Sequence, residues 1–287
     1  MMMALSSSYL EAFYTVSQTL NFTQAAEKLH ITQSALSQRI LKLEEELELT
    51  LFIRDRSGLR LTEAAMKLVR YCQQKNNLES DVLASLRPTD PQGISGLIRL
   101  GGFSSIMSSL VVPALAQLQS LHPHIQIQTT SKEMSELLDL LKRGEIDYMI
   151  VDDRIQREEL ERVSLGYEHN VLVQHKKYTG EEIYLDHDEK DDVTLKYLKQ
   201  TKNKVKIFKR HYLDDVHDLI EGVQHKLGKA VLPMHLIQHR QDFLMLEPQH
   251  VLKIPVELYY YSQPYYSKLH FKVIEVLKSY FKKALAE

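Results

Sequence analysis

From Thr32 to Lys42 the chain reads TQSALSQRILK. Leu36, Ile40 and the following Leu43 recur at helical spacing and mark a buried stripe. That leaves Gln33, Ser34, Ser37, Gln38, Arg39 and Lys42 to share the outer face of one short helix. An amide can pair with adenine and a guanidinium with guanine, while hydroxyls reach bases or phosphates, all from a helix that fits the major groove of duplex DNA. Downstream, Arg54, Arg56 and Arg60 lie in two short β-like runs around a Ser57-Gly58 tip, a hairpin wing whose cations would sit beside a flanking groove. Glu44, Glu45, Glu46 and Glu48 would repel phosphate and must therefore point away from it. Spacing alone also fits a plain helical bundle.

A second group lies in the C-terminal two-thirds. Ser104-Ser105, Thr129-Thr130-Ser131 and Asp152-Asp153 each follow a strand-like run, and Tyr212 and Asp214 precede a helix. In α/β sheets such loops hold ligands beyond the carboxyl ends of strands, where helix N-termini present free N–H groups. Asp152 in a closed cleft would need a counter-charge, which a cationic ligand supplies. The alternative is that Ser105 and Ser131 only cap helices and Asp152 is solvated.

Other polar clusters carry less chemistry. His235 and His239 share a helical face, but no further ligand is in sight and no metal is expected. Asp186-His187-Asp188-Glu189-Lys190-Asp191-Asp192 imitates the start of a calcium loop, yet Lys190, Asp191 and Tyr197 fall where a ligand oxygen, a glycine and a glutamate are wanted, so it reads as a solvated charge run. Without a phosphate-binding glycine loop, a nucleophile elbow or a triad, neither an enzyme nor a cofactor is expected.

The elements that must position these groups follow from patterning. Leu10, Phe13, Val16 and Leu20 form one amphipathic helix; Asn21, Thr23 and Thr32 offer caps for two shorter ones meeting at His30-Ile31-Thr32. A stretch from Thr62 to about Leu86 without Gly or Pro suits a long helix, whose Leu68, Tyr71, Leu78 and Val82 exceed what a solitary solvated helix needs and predict a dimer. Pro88 to Gly93 breaks it. Beyond, strand-like 97–100, 125–128 and 148–151 alternate with helices near 105–119 and 134–143, and a second cycle has strands at 171–173, 205–208 and 230–232 with a helix near 214–224. Such alternation predicts a parallel sheet with crossover helices. Tyr259-Tyr260-Tyr261 then leads to a helix over about 266–284.

At 287 residues, two domains are expected; the 44% hydrophobic and 26% charged content fits a folded soluble chain. Net charge is −2, so bulk charge does not itself announce a nucleic-acid partner, and the argument rests on cations segregated on a small head. The single Cys72 asks for no oxidising compartment, and Met1–Ser8 lacks the basic start and apolar run of a signal peptide, so a cytoplasmic address is expected.

Residues 10 to 70 resemble the LysR-type transcriptional regulators. Phe22, Thr23, Ala25-Ala26, Leu29, Thr32 to Ser37, Ile40, Leu43-Glu44, Leu51-Phe52, Arg54 and Leu61-Thr62 fall in that family's order and spacing. The resemblance implies a winged helix-turn-helix over 1–62, a dimerisation helix and hinge over 63–92, and a two-lobed α/β effector-binding domain over 93–287, similar to periplasmic solute-binding proteins. Lobe 1 would take about 93–165 and 262–287, lobe 2 about 166–261. It also implies the partners: an operator duplex, a small-molecule effector, further copies as homodimer and tetramer, and RNA polymerase. Ile31 to Ile40 is most similar to the branch that responds to lysine and arginine. Two positions depart from the family pattern: Glu48 stands where a glycine usually ends the recognition helix, implying a different helix end, and Ala65 replaces a common glycine. Two alternatives remain, a DNA-binding protein that has lost its ligand and an enzyme on the same scaffold.

Overall fold

The computed structural model describes residues 5–56, 58–86, 94–201 and 209–285. It divides into two compact units, Met1–Gly96 with Leu138–Asp147 and Gln263–Leu269, and Leu97–Leu137 with Tyr148–Ser262 and His270–Glu287.

The first unit opens with α1 (Ser7–Thr19), α2 (Phe22–Lys28) and α3 (Gln33–Leu47), followed by hairpin β1 (Phe52–Asp55) and β2 (Gly58–Leu61) and the long α4 (Glu63–Ser85). Phe13 and Val16 of α1, Ala25 and Ala26 of α2, and Leu36, Ile40 and Leu43 of α3 are buried together with Leu51 and Val69. The two alanines let α2 approach closely, and side-chain caps set where the helices begin. Asn21 Oδ1 accepts from the Thr23 and Gln24 amides at 2.9 and 3.1 Å, and Thr32 Oγ1 accepts from Ala35 N at 3.2 Å. The end of α3 corrects one expectation. Glu48 takes the left-handed conformation (φ 55°, ψ 35°) that glycine would favour, and its N–H reaches the Glu44 and Glu45 carbonyls. The helix therefore ends there without a glycine, at a conformational cost of about 1–2 kcal/mol.

Along α4, Leu68 packs half-buried on the head core, and burial pushes the Cys72 thiol up to about 12, leaving it inert. The expected dimer contact Leu68 thus serves the head's own core, whereas Tyr71, Leu78 and Val82 stay exposed. Gln73 Nε2 donates to the Gly144 carbonyl at 2.5 Å. Gly144 has φ +68°, and a Cβ there would lie 2.6 Å from Gln73 Nε2 and 2.8 Å from Val69 Cγ1, so only glycine fits under the helix. Farther on, Asp81 Oδ2 accepts from Tyr265 Oη at 2.7 Å and Lys268 N at 3.1 Å.

The second unit is built on one sheet. Its elements are β3 (Gly96–Gly102), α5 (Ser104–Ile106), a π-helical turn (Met107–Val111), α6 (Val112–Leu121), β4 (Ile125–Ser131), α7 (Met134–Lys142), β5 (Tyr148–Val151) and β6 (Leu160–His175). Then come β7 (Ile183–Asp186), α8 (Val193–Gln200), β8 (Lys209–Tyr212), α9 (Val216–Gln224), β9 (Lys229–Pro233), α10 (Met234–Ile237), β10 (Phe243–Met245), β11 (Leu252–Tyr261) and α11 (Lys268–Ala284). Strand order is β4-β3-β5-β11-β6-β9-β7-β8, with β10 also on β6.

The expected parallel pairing holds for β3 with β5 and for β7 with β8 and β9. It fails at the centre, where β11 runs antiparallel to both β5 and β6. These two long strands belong to both lobes and join them, and the run 171–173 is only the end of one of them. The expected strand 205–208 lies outside the described residues, beside β8. Around Asp186 the expectation of a solvated charge run fits Asp188, Glu189, Lys190 and Asp192, which are exposed, and fails at Asp186 itself. Asp186 is buried, accepting from Thr194 Oγ1 and Arg210 Nε at 2.5 Å each, while Asp188 and Asp191 accept from turn amides. A turn that saturates its carboxylates with its own donors needs no solvent to hold them.

Candidate functional site

Two sites emerge, one in each unit. On α3, Gln33, Ser34, Ser37, Gln38 and Lys42 are exposed and Arg39 half-exposed, because Leu36, Ile40 and Leu43 take the opposite side into the core. Glu44 is drawn off the face by capping β1, accepting from Leu51 N at 2.6 Å and Phe52 N at 3.3 Å. Lys42 is held by Glu45 at 2.8 Å, and Arg60 by Asp55 at 3.5 Å. Arg39, Arg54 and Arg56 form no ion pair with any described residue and are uncommitted cations of the head. Thr23 and Thr32 lie exposed at the starts of α2 and α3, where backbone amides also face outward.

The second site is the cleft between the lobes of the sheet-based unit. Ser104 and Ser105 start α5, and the π-turn after it carries Ser108 and Ser109 toward lobe 2; wide turns of this kind recur at functional sites. Ser108 Oγ lies 3.3 Å from His217 Nε2, and Ser109 Oγ lies 3.0 Å from His235 Nδ1. His235 Nε2 in turn meets Glu168 Oε1 at 2.8 Å, with both side chains less than a tenth exposed. Ser109 donates its own hydrogen to the Ser105 carbonyl at 2.5 Å, so it accepts from His235.

Asp152 forms no ion pair with a described residue. Burial, with help from the neighbouring Glu168 and Asp153, pushes its carboxyl up to about 6 against the opposing pull of a backbone hydrogen bond and, less strongly, of Lys196. Asp215 goes the other way. Burial opposes ionisation there, but the His217 amide and the Ser104 hydroxyl outweigh it and hold the group below the usual carboxylate range.

Of the residues expected in the cleft, Ser104, Ser105 and Asp152 are gathered here. Thr129, Thr130 and Ser131 end β4 beside the end of β3, where Lys132 N donates to the Gly102 carbonyl at 3.2 Å. Tyr212 is stacked under Arg210, 5.2 Å from its guanidinium carbon, and Asp214 uses its carbonyl to face His187 at 3.1 Å. Neither is drawn to Asp152 or to the serines by any of these interactions.

Sequence reasoning missed Ser108, Ser109, Glu168, Asp215 and His217, and weighed His235 only as a metal ligand. Among the described residues no group of three or more His, Cys, Asp or Glu side chains is placed to hold a metal ion. The one local sign was Glu168 with Asn170 on the same side of the strand, next to the apolar run Val171-Leu172-Val173. Both are buried, a position that polar groups occupy only with partners.

Two family models match the chain. Residues 8–66 fit the bacterial regulatory helix-turn-helix protein, lysR family, and residues 91–282 fit the LysR substrate binding domain. The HTH-type transcriptional regulator HdfR of Yersinia pestis (strain Pestoides F) is 30% identical over 167 residues, which are 57% of this chain and 55% of that one. The match thus spans about half the length of such curated relatives. Among solved structures, ArgP from Mycobacterium tuberculosis superposes with TM-score 0.79 at 18% identity, covering 97% of this chain and 98% of that one. Full-length LysG from Corynebacterium glutamicum with bound effector Arg gives 0.73 at 16% identity, covering 97% and 99%. At such identities the structural likeness speaks for the fold alone. The proteins that share both matched parts are transcription regulators rather than enzymes, and among the described residues no helix is long and apolar enough to cross a membrane. A helix-turn-helix head with a free polar recognition face, joined to a two-lobed α/β unit with a polar cleft, and both matched over nearly the whole chain, places this protein in the LysR family of bacterial regulators.

Proposed function

We propose that the protein is a sequence-specific, DNA-binding transcription regulator of the cytoplasm, switched by a small cationic effector, most simply a basic amino acid, held in the lobe cleft. The observation that carries the DNA reading is the outer face of α3 beside the uncommitted Arg54 and Arg56. Functionally, the head would extend to about residue 62, the dimer helix and hinge to about 92, and the effector domain over the rest. Pairing through Tyr71, Leu78 and Val82 would set two heads on a dyad operator, with a tetramer and RNA polymerase as further levels of assembly. Arg39→Ala or Gln33→Ala should weaken binding to an operator selected from random duplexes by about 1–3 kcal/mol for each base no longer read, leaving the melting temperature unchanged. Unchanged affinity in both variants at fixed salt removes α3 from base reading.

For the effector, a balance of charges supports the reading. Glu168 is partnered by His235, and Asp215 by the Ser104 hydroxyl and the His217 amide, whereas Asp152 forms no ion pair with a described residue and offers a cation a carboxylate. Hydroxyls of Ser104, Ser105, Thr130 and Ser131, with the amides near them, would take an α-carboxylate. LysG, of the same fold, was solved with Arg bound. Lysine or arginine should bind in calorimetric titration, and Asp152→Asn should lower the affinity about 10- to 100-fold. Because the raised group is a carboxylate only above about pH 6, affinity in the parent should fall as pH drops through 6, by up to about tenfold per unit, and this dependence should vanish in Asp152→Asn. Equal binding of leucine defeats the cationic reading. A second reading, a regulator without effector, draws on the cross-lobe Ser108–His217 and Ser109–His235 hydrogen bonds, which satisfy those groups within the chain itself; it predicts no thermal shift with any amino acid.

A further inference from the structure

Side chains alternate along β6 from Gly166 on, so Tyr167 and His169 face away from Glu168, and a bulge beside Val256–Glu257 brings Ser164 and Leu165 to the same groove. These residues form one wall of the groove, which has a volume of about 570 Å³ and whose other wall is the last turns of α11. That volume lies within the range of about 300–1,000 Å³ typical of small-molecule sites. Over Leu160–His169, β6 pairs with β11 alone among the described strands, so the groove runs beside an open stretch of strand. Its floor is apolar, with Leu165, Phe281 and Leu285 buried. Gly166 has φ +133°, and a Cβ there would stand 3.5 Å from Leu285 Cδ1, so any side chain would be strained and would narrow the lip.

The charge around this floor has one sign. Lys278 and Lys282 lie one helical turn apart on the rim, and neither forms an ion pair with a described residue, whereas Lys272 on the same helix is held by Glu275 at 3.0 Å. Among the described residues no carboxylate lines the groove, and Ser164 and Ser279 add hydroxyl donors. Burial, and after it the nearby Lys253, depress the His169 imidazolium, as a positive field at that wall requires.

We propose that this groove is a second small-molecule site, which takes a monocarboxylate with an apolar body, the carboxylate between Lys278 and Lys282 and the body on Phe281 and Leu285. It is independent of the cation reading at Asp152, which is not among the residues that line it. The probe is octanoate, titrated calorimetrically into the full chain, with octanol and octylamine as matched tails of other charge. One saturable site for octanoate is expected, with octanol at least about tenfold weaker and octylamine without binding. Lys278→Gln with Lys282→Gln should lower octanoate affinity about tenfold at unchanged melting temperature, the size expected for two half-exposed ionic interactions. Asp152→Asn should leave it unaltered. Absence of saturable uptake, equal affinity for octylamine or octanol, or unchanged affinity in the double variant overturns the proposal. Loss of octanoate binding in Asp152→Asn also overturns it, by moving the ligand to the cleft.

Discussion

Glutamates introduced together at Leu78 and Val82 should convert the protein to a monomer in sedimentation velocity and lower operator affinity by about 100-fold or more. Both side chains are about half exposed on α4, on the same stripe as Tyr71. Burying that stripe against a second copy would remove it from water, whereas four like charges at a dyad would oppose association. The affinity loss follows from linkage of two heads. A second half-site bound by a tethered head gains about 10²–10⁴ over independent binding, and a monomer forfeits that gain. The head itself should stay folded, since its core residues lie N-terminal to the substitutions, from Leu10 to Cys72. A parent chain that already sediments as a monomer, or a variant that stays dimeric, ends the assignment of this stripe to dimerisation.

Phe13→Ala should destabilise the helix-turn-helix head by about 3–5 kcal/mol, enough to leave much of it unfolded at 37 °C. The ring is fully buried, lies 5.6 Å from that of Phe52, and belongs to the cluster holding α1 against α3. Phe52 in turn meets Phe22 at 5.9 Å, so one side chain ties α1 to the wing and, through it, to α2. Removing the ring leaves a cavity that α3 cannot close without moving its reading face, so operator binding should fall with stability. Chemical denaturation followed by circular dichroism is the measurement. A midpoint within error of the parent would show that the head does not depend on this ring.

Much of the reading head was legible in the order of residues because its decisive interactions are local. The stripe Leu36-Ile40-Leu43 recurs within one helix, and the caps Asn21 and Thr32 act on amides two or three residues away. The misjudged points were positions where a local rule met a tertiary demand. Glu48 accepts left-handed backbone because Glu44, one turn before it, is pinned to Leu51 and the strand after the helix must start there. Leu68 has the same periodicity as Leu78, and only the presence of the head beneath the first turns of α4 separates them.

In the sheet-based unit, apolar alternation foretold strands and helices in nearly the right places, but not their direction. A run such as Val171-Leu172-Val173 looks the same in a parallel or an antiparallel strand, since both faces are buried in either case. The cleft is more remote still from local pattern. Ser109 and His235 are 126 residues apart, and His235 and Glu168 are 67 apart. Matched residues at fixed spacing therefore carried the family resemblance, and helical or strand period gave the outer face of α3 and the loops that end the strands of lobe 1. Which groups of lobe 2 meet those loops, and hence that Glu168 is partnered by His235, depended on the antiparallel crossing of β6 and β11, because a hydrogen bond across the lobes leaves no mark at the spacing of three, four or two residues from which local structure is read.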